Sequence, residues 1–196
     1  MKLTISVIVV VVVSILVCGV IGLGTYANNA IVINSKELSP PVTDFSNSSA
    51  SELVMPPDLS QFVEEQYAYD LAIEVNAAAK EYGVPVELCW EVMRAESGFH
   101  HTKPNGEIQR SRCNALGICQ VIPDGMAIKK RHNIRDRADN IRCMADLLSF
   151  ALFERGYSLE NALGWYNTGK SLSNGYARNV SKAYRSWVIA RGGTPL

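Results

Sequence analysis

The apolar and polar positions after residue 58 repeat mostly with the spacing of α-helices. Glycine, proline and short polar side chains separate the repeating segments and supply helix starts and stops, among them Pro85, Gly98 and Ser158. Helices are predicted over residues 60–82, 85–97, 123–130, 136–155, 158–166 and 176–190. Alternating apolar and polar positions, which indicate strands, do not continue for any length, so the pattern predicts a mostly α domain.

The first part of the chain has a different pattern. Residues 3–25 carry no charge, and a bilayer span needs roughly 20 apolar residues. Lys2 precedes this run, which favours a cytoplasmic N-terminus and export of the rest. A cleaved signal peptide with its cleavage region at residues 25–27 is the alternative, although the apolar run is long for one. We favour an inner-membrane anchor, which would hold the domain on the periplasmic face of that membrane. If the segment is cleaved instead, the domain would be periplasmic or secreted.

A polar segment separates this run from the helical part. Residues 28–58 are rich in Ser, Asn and Pro and show neither a helical nor a strand period, as is typical of a linker. The predicted organisation is therefore a membrane anchor or signal peptide over residues 1–27, a linker over 28–58 and a folded domain over 59–196.

The cysteines of the domain are four in number, namely Cys89, Cys113, Cys119 and Cys143. An exported domain with an even number of cysteines can carry disulfides. Cys113 and Cys119 bracket a short loop and are the favoured pair. The spacing is not that of paired CxxC motifs and no histidine alternates with it, so no metal site is predicted.

Charge is unevenly distributed although the formal net charge is zero. Acidic side chains predominate in residues 60–100, whereas basic side chains outnumber acidic ones about two to one in residues 101–196. A basic surface suits an anionic partner or is simply solvated. Nucleic-acid binding has this asymmetry as its sole support, because the bases form no single run and no nucleic-acid motif occurs. We therefore predict no nucleic-acid partner.

Glu96 is the acidic residue whose position stands out. It follows Leu88 and Val92 at a spacing of four, which places it on the apolar face of its helix. Burial disfavours the charged form and raises the pKa of a carboxyl. A carboxyl that is protonated near neutrality can protonate a glycosidic oxygen. The alternative is a terminal Glu that is exposed by fraying near Gly98, and helical spacing leaves both interpretations open.

Residues 96–99, Glu-Ser-Gly-Phe, resemble the catalytic signature of the soluble lytic transglycosylase (SLT) family of the lysozyme superfamily. Further resemblances follow in the family's order: residues 117–123 (Gly-Ile-Cys-Gln-Val-Ile-Pro), 139–141 (Asp-Asn-Ile), 162–169 (Ala-Leu-Gly-Trp-Tyr-Asn-Thr-Gly), and Tyr176 with Val180. The resemblance spans roughly residues 68–184. Departures fall at packing positions, namely Cys119, Met144, Thr168 and Ala177, and residues 101–113 look like an inserted loop.

The resemblance implies a lysozyme-like (goose-type or SLT) helical fold that acts on the glycan strands of peptidoglycan. Glu96 would be the general acid and then the general base. The substrate-binding residues would be Ser97, Gln120, Tyr166, Asn167 and Tyr176. Family members use one Glu to cleave between N-acetylmuramic acid and N-acetylglucosamine, and they form a 1,6-anhydro sugar without a metal or cofactor.

Two further interpretations stay open at the level of sequence. A goose-type lysozyme would use water and a second carboxylate about 5–9 Å from the first, for which Glu107 and Asp124 are the candidates. A non-catalytic peptidoglycan-binding protein is the other, and the intact Glu96, Gln120, Tyr166 and Asn167 argue against it. By analogy, an anchored transglycosylase would suit local wall opening by a secretion, conjugation or pilus machinery.

Overall fold

The computed structural model describes residues 53–124 and 126–196. Within these ranges the chain forms six α-helices: α1 (Glu65–Tyr82), α2 (Val86–Ser97), α3 (Ala127–Lys130), α4 (Arg137–Ser149), α5 (Leu159–Thr168) and α6 (Gly175–Ala190). A 3₁₀-helix at Leu59–Gln61 precedes α1, and a π-helical turn at Phe150–Glu154 continues α4. The same ranges contain isolated β-bridges but no strand. The predicted mostly α domain is confirmed.

Several predicted helix ends are confirmed together with their causes. Helix α2 starts directly after Pro85, and Gly98 ends it in a left-handed conformation with a φ of 60°. The side chain of Asp136 accepts a hydrogen bond from the Asp139 N–H at the start of α4. Ser158 accepts one from the Asn161 N–H at the start of α5. Such caps satisfy amide groups that the first turn leaves unpaired.

The predicted helix over residues 60–82 is wrong in its first part. The chain makes the short 3₁₀-helix, breaks at residues 62–64 and begins α1 after an extended Glu64. The ring of Phe62 packs edge-on against that of Phe99 with the centroids 5.4 Å apart, and the Arg94 guanidinium lies 5.3 Å from the same ring. These contacts with the end of α2 keep residues 62–64 out of the helical conformation that the local pattern predicts.

The prediction for residues 123–130 is wrong in extent. Of the described residues in this range, Ala127–Lys130 are helical, because the Asp124 side chain accepts a hydrogen bond from the Met126 N–H and pairs with Lys129 across the start of the helix.

The predicted anchor and most of the predicted linker lie outside the described residues. Among the helices that are described, none is long and apolar enough to cross a bilayer. Residues 53–58 belong to the predicted linker but are bound to the domain. The Val54 N–H donates to the Asn76 side chain, and the Val54 carbonyl accepts from both Asn76 and the Trp90 indole. The packed part of the chain therefore begins before the predicted boundary at residue 59.

Helix α2 runs through the middle of the core. Its fully buried side chains are Leu88, Cys89, Trp90, Val92 and Met93. It packs against α1 on one side and α6 on the other, while α1 also packs on α4 and α6 on α5. The C-terminal turn of α2, which carries Glu96, consequently lies among elements that come from both ends of the domain.

The favoured disulfide is not formed. All four cysteines of the domain are free thiols, and Cys113 is exposed whereas Cys119 is fully buried. The backbone N–H of Cys119 donates to Asn140, which holds this residue in the interior and away from the exposed loop that carries Cys113. Cys89 and Cys143 are buried as well.

Candidate active site

Glu96 lies in the last turn of α2, and its side chain is partly buried. Burial raises the pKa of the Glu96 carboxyl from 4.5 to about 7, and the neighbouring Tyr176 hydroxyl acts in the opposite direction. A carboxyl with this pKa exchanges its proton near neutrality, which a general acid and base requires.

Tyr176 reaches the carboxyl from the first turn of α6. Asn174 fixes the start of this helix by accepting a hydrogen bond from the Ala177 N–H. Burial and the neighbouring Glu96 charge raise the pKa of Tyr176 well above 10, so its hydroxyl keeps its proton. Apart from its approach to Glu96, this buried hydroxyl has no hydrogen-bond partner among the described residues. It can therefore donate to the carboxylate form of Glu96.

A tight hairpin over residues 116–121, here called the 116–121 hairpin, receives hydrogen bonds from both the end of α2 and α5. Leu116 and Val121 exchange both backbone hydrogen bonds, at 2.9 and 3.0 Å. The Ser97 hydroxyl donates to the Ile118 carbonyl at 2.7 Å, and the Tyr166 hydroxyl donates to the Cys119 carbonyl at 2.6 Å. Residues on both helices thus bind consecutive carbonyl groups of one hairpin.

Two buried polar side chains hold the other side of the 116–121 hairpin. His101 Nδ1 accepts from the Ile118 N–H at 3.2 Å, and Asn140 Oδ1 accepts from the Cys119 N–H at 2.9 Å. Asn140 also donates to the carbonyls of Leu116 and Ile134. Neither side chain was predicted to have a function. The sequence signal for Asn140 was the Asn-Ile motif, whereas nothing in the polar sequence around His100 and His101 indicates that one of the two is buried.

The predicted site residues fall into two groups in the structure. The first group comprises Glu96, Tyr166 and Tyr176, which lie close together. Burial is the main cause that raises the pKa of Tyr166 well above 10, and nearby charges that include Glu96 add to it. The other three are bound elsewhere: Ser97 to Ile118, Gln120 through its amide to the Gly117 carbonyl at 2.8 Å, and Asn167 to Asn174 at 3.3 Å at an exposed helix end.

The two candidates for a second carboxylate are engaged with lysines. Glu107 is exposed and pairs with Lys103 at 3.3 Å, and hydrogen bonding to Asn105 together with this ion pair lowers its pKa. Asp124 pairs with Lys129 at 2.7 Å. Burial acts to raise the pKa of Asp124, but its hydrogen bonds with Lys129 and with the Met126 N–H outweigh burial and lower that pKa. Among the described residues, none of the groups that shift the pKa of Glu96 is a carboxylate.

Two surface cavities lie elsewhere in the domain. One, of about 220 Å³, is lined by Tyr82, His132 and Asp146 among others. The second, of about 260 Å³, is lined by residues 62–64 and 100–102 together with Tyr67. Glu96 lines neither of these two cavities.

Comparison with protein families decides the assignment. Residues 74–187, more than half of the chain, match the model of the transglycosylase SLT domain. The chain belongs to this family. The SLT domain contains all the predicted site residues and the 116–121 hairpin, and the resemblance that the ordered motifs indicated is confirmed.

One solved structure similar to this SLT domain is that of an inactive mutant of the lytic transglycosylase Slt from Pseudomonas aeruginosa. The sequence identity is 16% and the TM-score is 0.48, over 63% of this chain and 24% of that one. The chain therefore spans about a quarter of the length of that protein. No curated protein sequence matches the chain.

Proposed function

We propose that this SLT domain cleaves the β-1,4 bond between N-acetylmuramic acid and N-acetylglucosamine in peptidoglycan, with Glu96 as the catalytic acid and base. The observation that carries the proposal is the partly buried Glu96 carboxyl, whose pKa is about 7 and which faces the Tyr176 hydroxyl. Near neutrality a large fraction of this carboxyl is protonated and can donate, and its conjugate base is strong enough to accept.

In the first step, Glu96 donates its proton to the glycosidic oxygen. The bond from that oxygen to C1 of the muramic residue breaks, N-acetylglucosamine leaves as an alcohol, and positive charge develops at C1. The Glu96 carboxylate that results can accept the hydrogen bond of Tyr176, which offsets part of the cost of a charge in this partly buried place.

In the second step, the Glu96 carboxylate removes the proton of the muramic 6-hydroxyl. The oxygen of this group bonds to C1 and closes the 1,6-anhydro ring, and Glu96 regains its proton. One carboxyl serves both steps and no water is consumed. The arrangement suits this reaction better than hydrolysis, because Glu107 and Asp124 pair with lysines and neither affects the pKa of Glu96.

Digestion of purified sacculi by the full-length protein, followed by mass spectrometry of the released muropeptides, tests the proposal. We expect anhydro products from the wild type and a loss of about 10³–10⁴-fold in E96Q, which cannot transfer a proton. E91Q is the matched control, because Glu91 is also a buried carboxyl of α2 but pairs with Arg94 at 3.4 Å.

The outcomes separate the possibilities. Turnover by folded E96Q at the wild-type rate would refute the role of Glu96, and products with reducing ends would replace the lyase by a lysozyme-type hydrolase. Binding of sacculi without any product from the wild type would instead favour a non-catalytic protein. E91Q should keep its turnover.

The setting of the reaction is a further part of this proposal. The uncharged run at residues 3–25 would hold the domain on the periplasmic face of the inner membrane. There it would open the wall locally, as a secretion, conjugation or pilus machinery requires. A C-terminal alkaline phosphatase fusion should be active in cells, and an inactive one beside a fluorescent cytoplasmic fusion would contradict export.

A further inference from the structure

The 116–121 hairpin has its three central peptide groups fixed at both ends. The group between Ile118 and Cys119 is bound by Ser97 at its carbonyl and by Asn140 at its N–H. The next, between Cys119 and Gln120, is bound by Tyr166 at its carbonyl, while its N–H donates to Gly117.

The remaining peptide group, between Gly117 and Ile118, depends on His101. Its carbonyl accepts from the backbone and side-chain nitrogens of Gln120, so these bonds lie within the hairpin itself. Its N–H donates to His101 Nδ1 at 3.2 Å, which is the bond that ties this peptide group to the rest of the domain. His101 is 8% exposed and stands in the inserted loop that follows α2.

The partners of His101 fix its tautomer. The Ile118 N–H can only donate, so Nδ1 must be the unprotonated nitrogen. The Arg135 carbonyl can only accept, so Nε2, at 3.0 Å from it, carries the hydrogen. A neutral His101 therefore makes two bonds of opposite sense, one to the 116–121 hairpin and one to the segment before α4.

The ring of His101 also packs against the hairpin. A Cβ atom placed on Gly117 would lie 2.8 Å from His101 Cε1, so the ring occupies the space beside this glycine. The ring therefore blocks movement of the hairpin toward His101. Movement away from His101 would break the hydrogen bond and leave the Ile118 N–H unpaired in the interior. The hydrogen bond and the packing together define one position of the hairpin.

We propose that His101 is a positioning residue of the Glu96 site, which acts by holding the Ile118 amide so that the carbonyls bound by Ser97 and Tyr166 keep their places. Ser97 directly follows Glu96, and Tyr166 lies beside it, so a shift of the hairpin displaces the carboxyl relative to its neighbours. The effect on turnover rests on the proposed function, whereas the effect on the hairpin does not.

Two substitutions in the full-length protein separate the two bonds of His101. H101N places an amide oxygen where Nδ1 was and keeps an acceptor for the Ile118 N–H, but it loses the donor to Arg135. H101Q keeps a donor near the position of Nε2 and loses the acceptor. Each variant therefore lacks one buried hydrogen bond, and a merely structural role predicts similar changes in melting temperature and similar changes in turnover.

Positioning predicts different changes in turnover. In H101Q we expect kcat on sacculi to fall by about 10- to 100-fold with KM little altered, since a displacement of about 1 Å can cost 10²-fold. The alkaline limb of its pH profile should move to lower pH, because a loosened hairpin admits water to Glu96. H101N should stay within about three-fold of the wild type with an unmoved limb, since only the bond remote from the hairpin is lost.

Hydrogen exchange measured by mass spectrometry gives a readout that needs no turnover. Peptides covering residues 116–121 should exchange faster in H101Q than in H101N and the wild type. If the wild type releases no anhydromuropeptides, the proposed function fails and this exchange still decides the positioning.

With an active wild type, equal turnover of the two folded variants would overturn the proposal, and unchanged protection of the hairpin in H101Q would overturn it in either case. Should H101Q not fold, H101N decides, because a loss of more than about ten-fold in the folded protein would be incompatible with the retained acceptor.

Discussion

Two carboxyls of α2, Glu91 and Glu96, show how the surroundings of a residue determine its chemistry. Burial raises the pKa of both. The Arg94 guanidinium lies 3.4 Å from Glu91 and counteracts the effect of burial on its pKa, whereas the Tyr176 hydroxyl is what counteracts it at Glu96 among the described residues. Helical spacing puts Glu96 on the apolar face of α2. It does not reveal the burial of Glu91, which is only 8% exposed because of tertiary packing that the spacing does not contain.

The raised pKa of Glu96 has a consequence for stability. Between pH 4.5 and about 7 the folded chain keeps a proton on Glu96 that the unfolded chain releases, so the stability that this group contributes is lost as pH rises through 7. E96Q lacks this penalty. We expect its free energy of unfolding to exceed that of the wild type by up to about 3 kcal/mol at pH 8 and by much less at pH 5.

Urea unfolding of both proteins at the two pH values measures this difference, with the exposed Glu65→Gln as the control. A difference between E96Q and the wild type that does not change with pH would contradict a raised pKa in the folded protein.

Tyr176 should set the upper end of the active pH range. Y176F removes the hydroxyl that lowers the pKa of Glu96, so that pKa rises further and Glu96 stays protonated to higher pH. We expect the alkaline limb of kcat/KM on sacculi to move upward by on the order of one pH unit, with a lower maximum.

Y184F is the matched control for Y176F, because the buried Tyr184 hydroxyl accepts from the Leu196 N–H and is not among the groups that shift Glu96. An alkaline limb that stays in place in Y176F, or one that moves as far in Y184F, would show that the Tyr176 hydroxyl does not act on Glu96.

At the level of elements, sequence predicts what local chemistry determines. Pro85, Gly98 and Ser158 mark helix ends because their effects reach only a few residues. The break before α1 and the 116–121 hairpin depend on partners far away in the chain, such as Phe99 for Phe62 and Asn140 for Cys119. The motif containing Gln120 was recognised from sequence, but its hydrogen bonds to His101, Ser97 and Tyr166 could be assigned only from the fold.

The 116–121 hairpin should not tolerate a side chain at Gly117. This residue has a φ of 74°, and an added Cβ would lie 2.8 Å from His101 and 2.9 Å from Asn140. Gly106 has a φ of 82° and nothing within 4 Å, so it is the matched control. We expect about 1 kcal/mol of destabilisation in G106A from the left-handed backbone alone, and a further 1–3 kcal/mol in G117A from overpacking.

Chemical denaturation of the two glycine variants measures both terms. Equal losses in G117A and G106A would mean that the hairpin moves freely away from His101 and Asn140, which the bonds to its peptide groups do not allow.

At the scale of the whole molecule, residues 53–58 close the domain on the side of α1 and α2. The Asp58 carboxylate binds the Arg94 guanidinium through two bonds of 2.8 and 2.9 Å, and this guanidinium also lies over the Phe62 and Phe99 rings. Val54 supplies the acceptor for the fully buried Trp90. Polar composition alone assigned these residues to a linker, since composition does not show which polar groups find buried partners.

Two shortened proteins test this closure. One beginning at residue 53 keeps the contacts of Val54 and Asp58, and one beginning at residue 59 leaves Trp90, Asn76 and Arg94 without these partners. Because an unpaired buried donor costs about 1–3 kcal/mol, we expect the second protein to be less stable by on the order of 3 kcal/mol.

Calorimetric melting of both shortened proteins gives the comparison. The same midpoint for the two would mean that residues 53–58 add nothing to the fold.

The different exposure of the four cysteines allows opening of the core to be measured by thiol labelling. Among the cysteines of the domain, Cys113 alone is exposed, and burial raises the pKa of Cys89 and of Cys143 to about 12. A maleimide probe should therefore couple to the native domain at Cys113, at the end of the inserted loop and without a second labelled position in the described residues. The three buried thiols become reactive only when the core opens, so the rate of their slow modification would measure how often the core opens.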